Sequence, residues 1–545
     1  MTVSGESARA QPHEILPPYI NRSATETHWR LALGLSFALF VYGFAFALFA
    51  PFLLLMFAIP PAALLLLVIW ALPQSHREPP TATVVALFWG FFVSLVLWPN
   101  YLALSLTGLP WITIIRITGI PLMFLLLICV SISKEFRART SAVLNAVPLI
   151  WMLVTSFAVL QLLSIALSHA MLESIDKLFV AQMGCTALFF VSAYVFLRPG
   201  RAEHWAAVLW VMALLLCGIG LVEKHMGHVP WADHIPSFLK IQDDTVLKIL
   251  KGGARSATGI YRVQSTLSTS LGFSEYLALT MPFILQFIGG SYSAWVRLAA
   301  AASVPLVVYL VVLTDSRLGA VGCGLALLIY PLLWALQRQR KGKGRVLGPL
   351  VTYLYPLFFV GSIAISLFSA RIRARILGNG PQDFSNLSRI EQWKMGIPKI
   401  IANPIGHGIG VGADALGYRT PAGVLTIDSY YLVLLLEYGV IGFAIWCSLI
   451  GLSIFYAGKY GMNYKGESRD LAFLVPTSLA LFNFFVIKSV FAQQDNHPLV
   501  FIMMGMVVAL IYRMRQGAQA AAPVASQSKT AGAKRLWRAG TRITA

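Results

Sequence analysis

The sequence predicts an all-α polytopic membrane protein of about fourteen transmembrane helices, with both termini in the cytoplasm and two long loops on the opposite face. Three observations carry this. The 545 residues are 57% hydrophobic and only 12% charged, with a mean hydropathy of +0.72. Apolar runs of about 20 residues recur from end to end, each able to cross a hydrocarbon core of roughly 30 Å. Basic stretches fall in alternate connections, the pattern of cytoplasmic loops. A membrane barrel would show short alternating strands instead.

In chain order, residues 1–30 are polar and read as a cytoplasmic segment. No cleavable signal is expected, because the first apolar run is long and lacks a small-residue cleavage site. Spans then follow at 31–49, 52–72, 82–105, 112–132, 142–166, 178–197 and 205–222. A first long outer loop covers 223–272. Further spans lie at 273–290, 294–313, 318–337 and 347–368, before a second long loop over 369–429. The last spans are 430–456, 470–490 and 498–512, within a membrane region ending near 513. The tail, 514–545, reads as a disordered linker followed by a basic cytoplasmic segment.

Orientation follows from "KEFRAR" (134–139), "RPGR" (198–201), "RQRKGKGR" (338–345) and "KYGMNYKGESR" (459–469), all assigned to the cytoplasm. Much of the +20 net charge lies in these loops and the tail, so it describes topology and does not call for nucleic acid as a partner. The five cysteines all fall inside apolar runs without metal spacing, which excludes a disulfide framework as the organising device. His225 and His228 form a weak HxxH pair that would need a third ligand, such as Asp233 or His234, to hold zinc.

The outer loops are unexpectedly cationic. Long loops escape the positive-inside bias, so they admit such charge, but something must use or neutralise it. The first loop carries Lys240, Lys248, Lys251, Arg255 and Arg262; the second includes Arg371, Arg373, Arg375, Arg389 and Lys399. Arg317 sits at a tight outer turn, Arg116 lies inside a span near its outer end, and Lys488 lies near the outer end of another. An intramembrane Arg costs about 2.5–3.5 kcal/mol and so pairs or faces a cavity. Several guanidinium forks together suit phosphate or pyrophosphate, the alternative being ion pairs with Asp315, Asp383, Glu391 and Asp414 plus snorkelling to headgroups. The second loop is expected to hold a helix near 388–403, ended by Asn403-Pro404.

"SRIEQWKMGIPKIIANPIGHGIG" followed by "IDSYYLVLLLEYGVIGFAIW" resembles the signature of the O-antigen ligase and Wzy-type polysaccharide polymerase superfamily. The matching positions are Arg389, Trp393, the Pro404–Gly408 turn with His407, Tyr431-Leu432, and Glu437, Gly439 and Gly442. "LTDSRLGAVGCGLALL" (313–328) resembles the upstream Ser-Arg-Gly-type segment, and 261–283 the stretch before it. The resemblance spans about 255–515; the earlier spans match only in being hydrophobic.

The resemblance implies a membrane glycosyltransferase of the GT-C type in the bacterial inner membrane, acting at the periplasmic face without metal, nucleotide sugar or other cofactor. It implies a polyprenyl-pyrophosphate-linked glycan donor, a glycan acceptor and membrane lipid as partners, with a chain-length regulator and export proteins beside them. Ligases of the family place His where this chain has Asp428, and Asn where it has Ser429. A carboxylate also serves as a general base. The departure favours a polymerase, with a ligase as the alternative and a lipid-linked glycan transporter as the alternative of another class. The expected catalytic residues are Asp428 as base, with Arg389 and Arg317 on the pyrophosphate. The expected binding residues are Arg262, Arg255, Arg116, His407, Trp393, Tyr430, Tyr431 and Glu437. For Tyr430, Tyr431 and Trp393 the plainer role is membrane-interface anchoring, and for Glu437 a helix-to-loop hydrogen bond.

Overall fold

The computed structural model describes residues 64–72, 79–105, 111–241, 261–341, 347–368, 383–420 and 423–517, together with positions 246 and 250. The predicted span at 31–49, most of that at 52–72, Arg255 and the tail beyond 517 lie outside the described residues.

The helices relevant to the site are α1 (Thr81–Leu97), α2 (Ile114–Ile132), α3 (Lys134–Leu144), α4 (Pro148–Ser164), α5 (Met171–Ala181), α6 (Leu188–Val195) and α7 (Arg201–Met226). They continue with α8 (Ser270–Gly289), α9 (Ala294–Leu313), α10 (Arg317–Arg340), α11 (Leu347–Phe368), α12 (Asp383–Ala402), α13 (Gly412–Leu416), α14 (Tyr430–Asn463), α15 (Leu474–Lys488) and α16 (His497–Gly517). Among the described residues, ten helical segments are long and apolar enough to cross a membrane. α8 is buried almost without interruption from Ser270 to Phe287 and forms the centre, packed on α9, α10 and α15.

Four predicted spans are corrected in detail. The helix expected over 82–105 stops at Leu97, where Pro99 follows and the Asn100 side-chain amide caps the Leu95 carbonyl at 2.9 Å. The chain then forms β1 (Leu102–Leu104), which pairs antiparallel with β2 (Leu239–Ile241) in the register Leu102↔Ile241. Thus a two-stranded ribbon, not only helix, closes the first long loop. "KEFRAR" opens its own helix, α3, because Ser133 accepts a capping bond from the Phe136 N–H, and the span expected from 142 begins at Pro148. The helix expected from 178 begins at Met171 and reaches Val195 through a π segment, Gln182–Ala187. The span expected at 430–456 runs to Asn463 but breaks at Gly439, whose φ is 66° and ψ −168°.

Both ends of the bundle are tied. At one end Asp470 accepts from the backbone N–H of Gly200 and Glu203 and pairs with Arg513. There Arg340 also donates to the Asn463 side chain, and Lys341 to the Gly466 carbonyl. At the opposite end lie the C-terminus of α4, α12, α13 and the N-termini of α10 and α14.

Candidate active site

One face of α12 organises the site. Asn386, Arg389, Gln392, Trp393 and Gly396 recur at helical spacing and so point the same way. Asn386 Oδ1 accepts from Arg317 Nη1 at 3.3 Å, and Arg317 is the first residue of α10. Arg389 Nε stands 3.8 Å from Asp428 Oδ2. Gln392 Oε1 accepts the Asp428 backbone N–H at 2.9 Å. Trp393 is partly buried against the core. Gly396 lets Leu432 approach, since a Cβ there would stand 2.7 Å from Leu432 Cδ1. Residues far apart in the chain, Arg317, Arg389 and Asp428, therefore all attach to a single helix face. The Asp428 side chain keeps 32% of its surface exposed. Burial pushes its pKa above the usual carboxylate value, while Arg389 and Gln392 pull against that rise.

Below Asp428 the glycine turn after α12 plugs into the break of α14. Breaking the helix at Gly439 frees backbone groups that a membrane cannot hydrate. The turn supplies the missing partners. His407 and Gly408 donate their backbone N–H groups to the Leu436 and Glu437 carbonyls at 2.8 and 3.0 Å. The Val440 N–H donates to the Pro404 carbonyl at 3.0 Å. The His407 ring joins in, with Nδ1 3.0 Å from the Leu436 carbonyl oxygen. Gly406 and Gly408 have φ of 99° and 103°, and a Cβ at Gly408 would stand 2.7 Å from the Ser164 carbonyl. Only glycine combines that backbone with so close an approach. The far side of the turn is fixed by Ser174, whose Oγ donates to the Ile409 carbonyl at 2.5 Å. The Glu437 side chain reaches the same turn and packs closely on Gly412, where an added Cβ would stand 3.0 Å from Glu437 Cγ.

The remaining expected residues are placed as follows. Arg262 donates through Nε to the Thr314 carbonyl at 2.8 Å and through Nη2 to the Asp315 carbonyl at 3.4 Å, binding the turn just before Arg317. Arg116 is paired with Asp176 of α5 at 2.8 Å and is not gathered by α12. Tyr430 turns inward at 4% exposure, its ring packed against Trp446 and His497. The Tyr431 hydroxyl donates to the Phe485 carbonyl at 2.5 Å, with its ring against Phe443 and Trp446. His228 lies 4.0 Å from Asp233, and among the described residues no group of three His, Cys, Asp or Glu could hold a metal ion.

Sequence reasoning missed several supports. Gln392 and Asn386 stand three residues either side of Arg389, but Asn386 precedes the helix expected over 388–403, and the spacing marks them only once the face of α12 is known. Glu223, fully buried at the end of α7, accepts from Tyr261 Oη and from the backbone N–H groups of Gln264 and Ser265. That clamp holds Ser265 at a φ of 55° and sets the approach to Arg262. Glu275 of α8 pairs with Lys488 of α15 at 2.9 Å, both side chains 0% exposed, and Asn496 donates to the same carboxylate at 3.0 Å. The signal was an acid in one apolar span and a base in another.

Comparison with known families now bears on this geometry. A family model, Wzy_C, described as O-antigen ligase, matches residues 301–447. Residues 301–447 are a Wzy_C domain of the O-antigen ligase superfamily. The domain contains Arg317, all of α12, the glycine turn, Asp428 and Glu437. Its membership implies glycan transfer of the ligase or polymerase type, with lipid-linked glycan substrates, in a multi-pass membrane protein. Arg116, Glu223, Arg262, Glu275 and Lys488 lie outside the Wzy_C domain, and Arg262 is bonded to its Thr314 and Asp315 carbonyls. No curated protein matches the chain.

Proposed function

We propose that the protein is a polysaccharide polymerase of the bacterial inner membrane. It joins polyprenyl-pyrophosphate-linked oligosaccharide repeats at the periplasmic face in the synthesis of exopolysaccharide, capsule or O-antigen. The observation that carries this reading is the single face of α12 onto which Arg317, Arg389 and Asp428 converge. A carboxylate that can take a proton stands beside guanidinium groups that can take a phosphate.

In this reading an acceptor hydroxyl attacks the anomeric carbon of the donor glycan. The new C–O bond forms as the bond to the pyrophosphate oxygen breaks, and that oxygen keeps the electron pair. Arg389 and Arg317 stabilise its growing charge, the kind of contribution worth about 10²–10³ in rate when one donor is removed. Asp428 receives the hydroxyl proton. Direct attack inverts the anomeric centre. His407, Glu437 and the glycines hold the backbone that carries Asp428. Arg262 steadies the turn before Arg317, and Trp393 lies on the face that meets the sugar.

The deciding experiment uses purified protein in lipid vesicles, supplied with lipid-linked oligosaccharide from the native host and no lipid A-core. The expected result is a ladder of longer lipid-linked glycans, absent with Arg389→Ala and with Asp428→Asn. Transfer only after lipid A-core is added would replace the polymerase by a ligase. No transfer to either acceptor by intact protein would overturn both and point to transport of the lipid-linked glycan.

A further inference from the structure

Two buried polar atoms beside Asp428 have no partner among the described residues. One is Nε2 of Gln392, a residue only 1% exposed; the other is Oγ of Ser429. Their placement is unusual for both residues. Gln392 uses its Oε1 on the Asp428 N–H and turns its amide group toward the Asp428 carboxylate, which it helps to keep ionised, yet Nε2, with two N–H donors, makes no hydrogen bond of regular geometry. Ser429 is the N-cap of α14, where a serine normally accepts from a helix N–H. Thr113, Ser133, Thr269, Ser293 and Ser316 do this at their helices. Ser429 does not: its side chain makes no capping bond, and its Oγ is left over. Folding rarely leaves a buried donor and a buried hydroxyl unmatched, and two such groups around one carboxylate call for a ligand that supplies their complements.

We infer that Gln392 and Ser429 form the acceptor subsite, which recognises a sugar hydroxyl adjacent to the one that attacks. The inference rests on the proposed transfer reaction. A pyranose offers vicinal hydroxyls, each both donor and acceptor. With one hydroxyl on the Asp428 carboxylate, its neighbour accepts from Gln392 Nε2 and donates to Ser429 Oγ. This sets which hydroxyl meets the base, and so the linkage formed. Gln392 bonds the Asp428 backbone and Ser429 follows it in the chain, both uncharged, whereas Arg317 and Arg389 present the charges that suit the donor. The subsite therefore selects the acceptor and leaves recognition of the pyrophosphate to the arginines.

The test is two-substrate kinetics in vesicles, with host lipid-linked oligosaccharide as donor. The acceptor is the host repeat unit freed from its lipid, together with forms of that unit deoxygenated at single positions beside the attacking hydroxyl. Ser429→Ala, Ser429→Thr and Gln392→Glu are compared with the parent. Gln392→Glu keeps an oxygen for the Asp428 N–H but removes the donor. Loss of one neutral hydrogen bond predicts a rise in acceptor KM of roughly three- to tenfold for Ser429→Ala and Gln392→Glu, with donor KM unchanged and partial recovery in Ser429→Thr. One deoxy acceptor should penalise the parent but not add to the defect of the variants. The inference is overturned if the variants alter donor KM instead, or if every deoxy acceptor penalises parent and variants equally. Absence of transfer by the parent protein with any acceptor would instead bring down the proposed function itself.

Discussion

Asp428 and Arg389 constrain each other's chemistry. A general base must be ionised in the free enzyme, and Arg389 at 3.8 Å favours that form while burial opposes it. Burial wins, so activity should fall as pH drops through a value above the ordinary aspartate pKa of about 3.9. Arg389→Gln removes the lowering influence and should move the acid limb of residual activity to still higher pH. A bound pyrophosphate would engage Arg389 as well. The acid limb of kcat, which reports the complex, should then lie above that of kcat/KM, which reports the free enzyme. A pH–rate series on the vesicle assay checks both; coincident limbs, unmoved by Arg389→Gln, would remove Asp428 from the role of base. At this scale Arg389 and Arg317 were legible as cations on an outer face of an apolar chain, and Asp428 only through the resemblance that sets it where ligases place a His. Gln392 and Asn386 were not, because an uncharged amide on a polar loop helix carries no signal until the helix face is known.

α14 shows what a residue pattern reveals and what it hides. "LEYGVIG" reads as continuous helix because glycine inside a membrane span commonly marks only close packing. The break at Gly439 is visible only when the turn at 404–408 is seen occupying it. Gly439→Ala should therefore be severe. Its φ of 66° with a ψ near ±180° lies in a region essentially restricted to glycine, a strain of order 1–3 kcal/mol for other residues. A Cβ there would also run into the Pro404 and Ile405 backbone. Gly451, further along the same helix, has open space around a built Cβ. Thermal unfolding in detergent should show a clear loss for Gly439→Ala and none, or a gain of up to about 1 kcal/mol, for Gly451→Ala. Equal behaviour of the two would mean that the break does not hold the turn. The expected helix over 388–403 and its stop at Asn403-Pro404 were legible in advance, since α12 runs from Asp383 to Ala402. The strand pair was not, because three-residue strands separated by more than a hundred residues leave no periodicity to read.

Across the whole molecule the hydropathy pattern was the most legible feature. Ten of the segments read from it correspond to membrane-length helices among the described residues. The charge pattern agrees with the packing. Gly200, Arg340, Lys341, Asn463, Gly466, Asp470 and Arg513, drawn from three connections and the last helix, lie at the end of the bundle opposite Asp428. With those basic ends in the cytoplasm, a cysteine at the exposed Asp414 should react with a membrane-impermeant maleimide added to cells with a permeabilised outer membrane. A cysteine at the exposed Lys465 should react only after the inner membrane is opened. The reverse labelling would invert the orientation and place the candidate site in the cytoplasm. Glu275 and Lys488 each stand out as a charge in an apolar span, but that the two meet is a property of two spans at once and is seen only in the packing.

The glycine turn has a bearing on how such proteins can be recombined. Gly408 lies against the Ser164 carbonyl and the Ser168 N–H, and Gly410 against Lys177, all from α4, α5 and the bend between them. Those helices precede the matched segment, so the unit inherited as Wzy_C and the unit that folds around Asp428 have different borders. A chimera that exchanges 301–447 alone would seat its turn in a mould shaped for another sequence. Exchanging the segment from Pro148 to Val195 along with it keeps cast and mould from one parent.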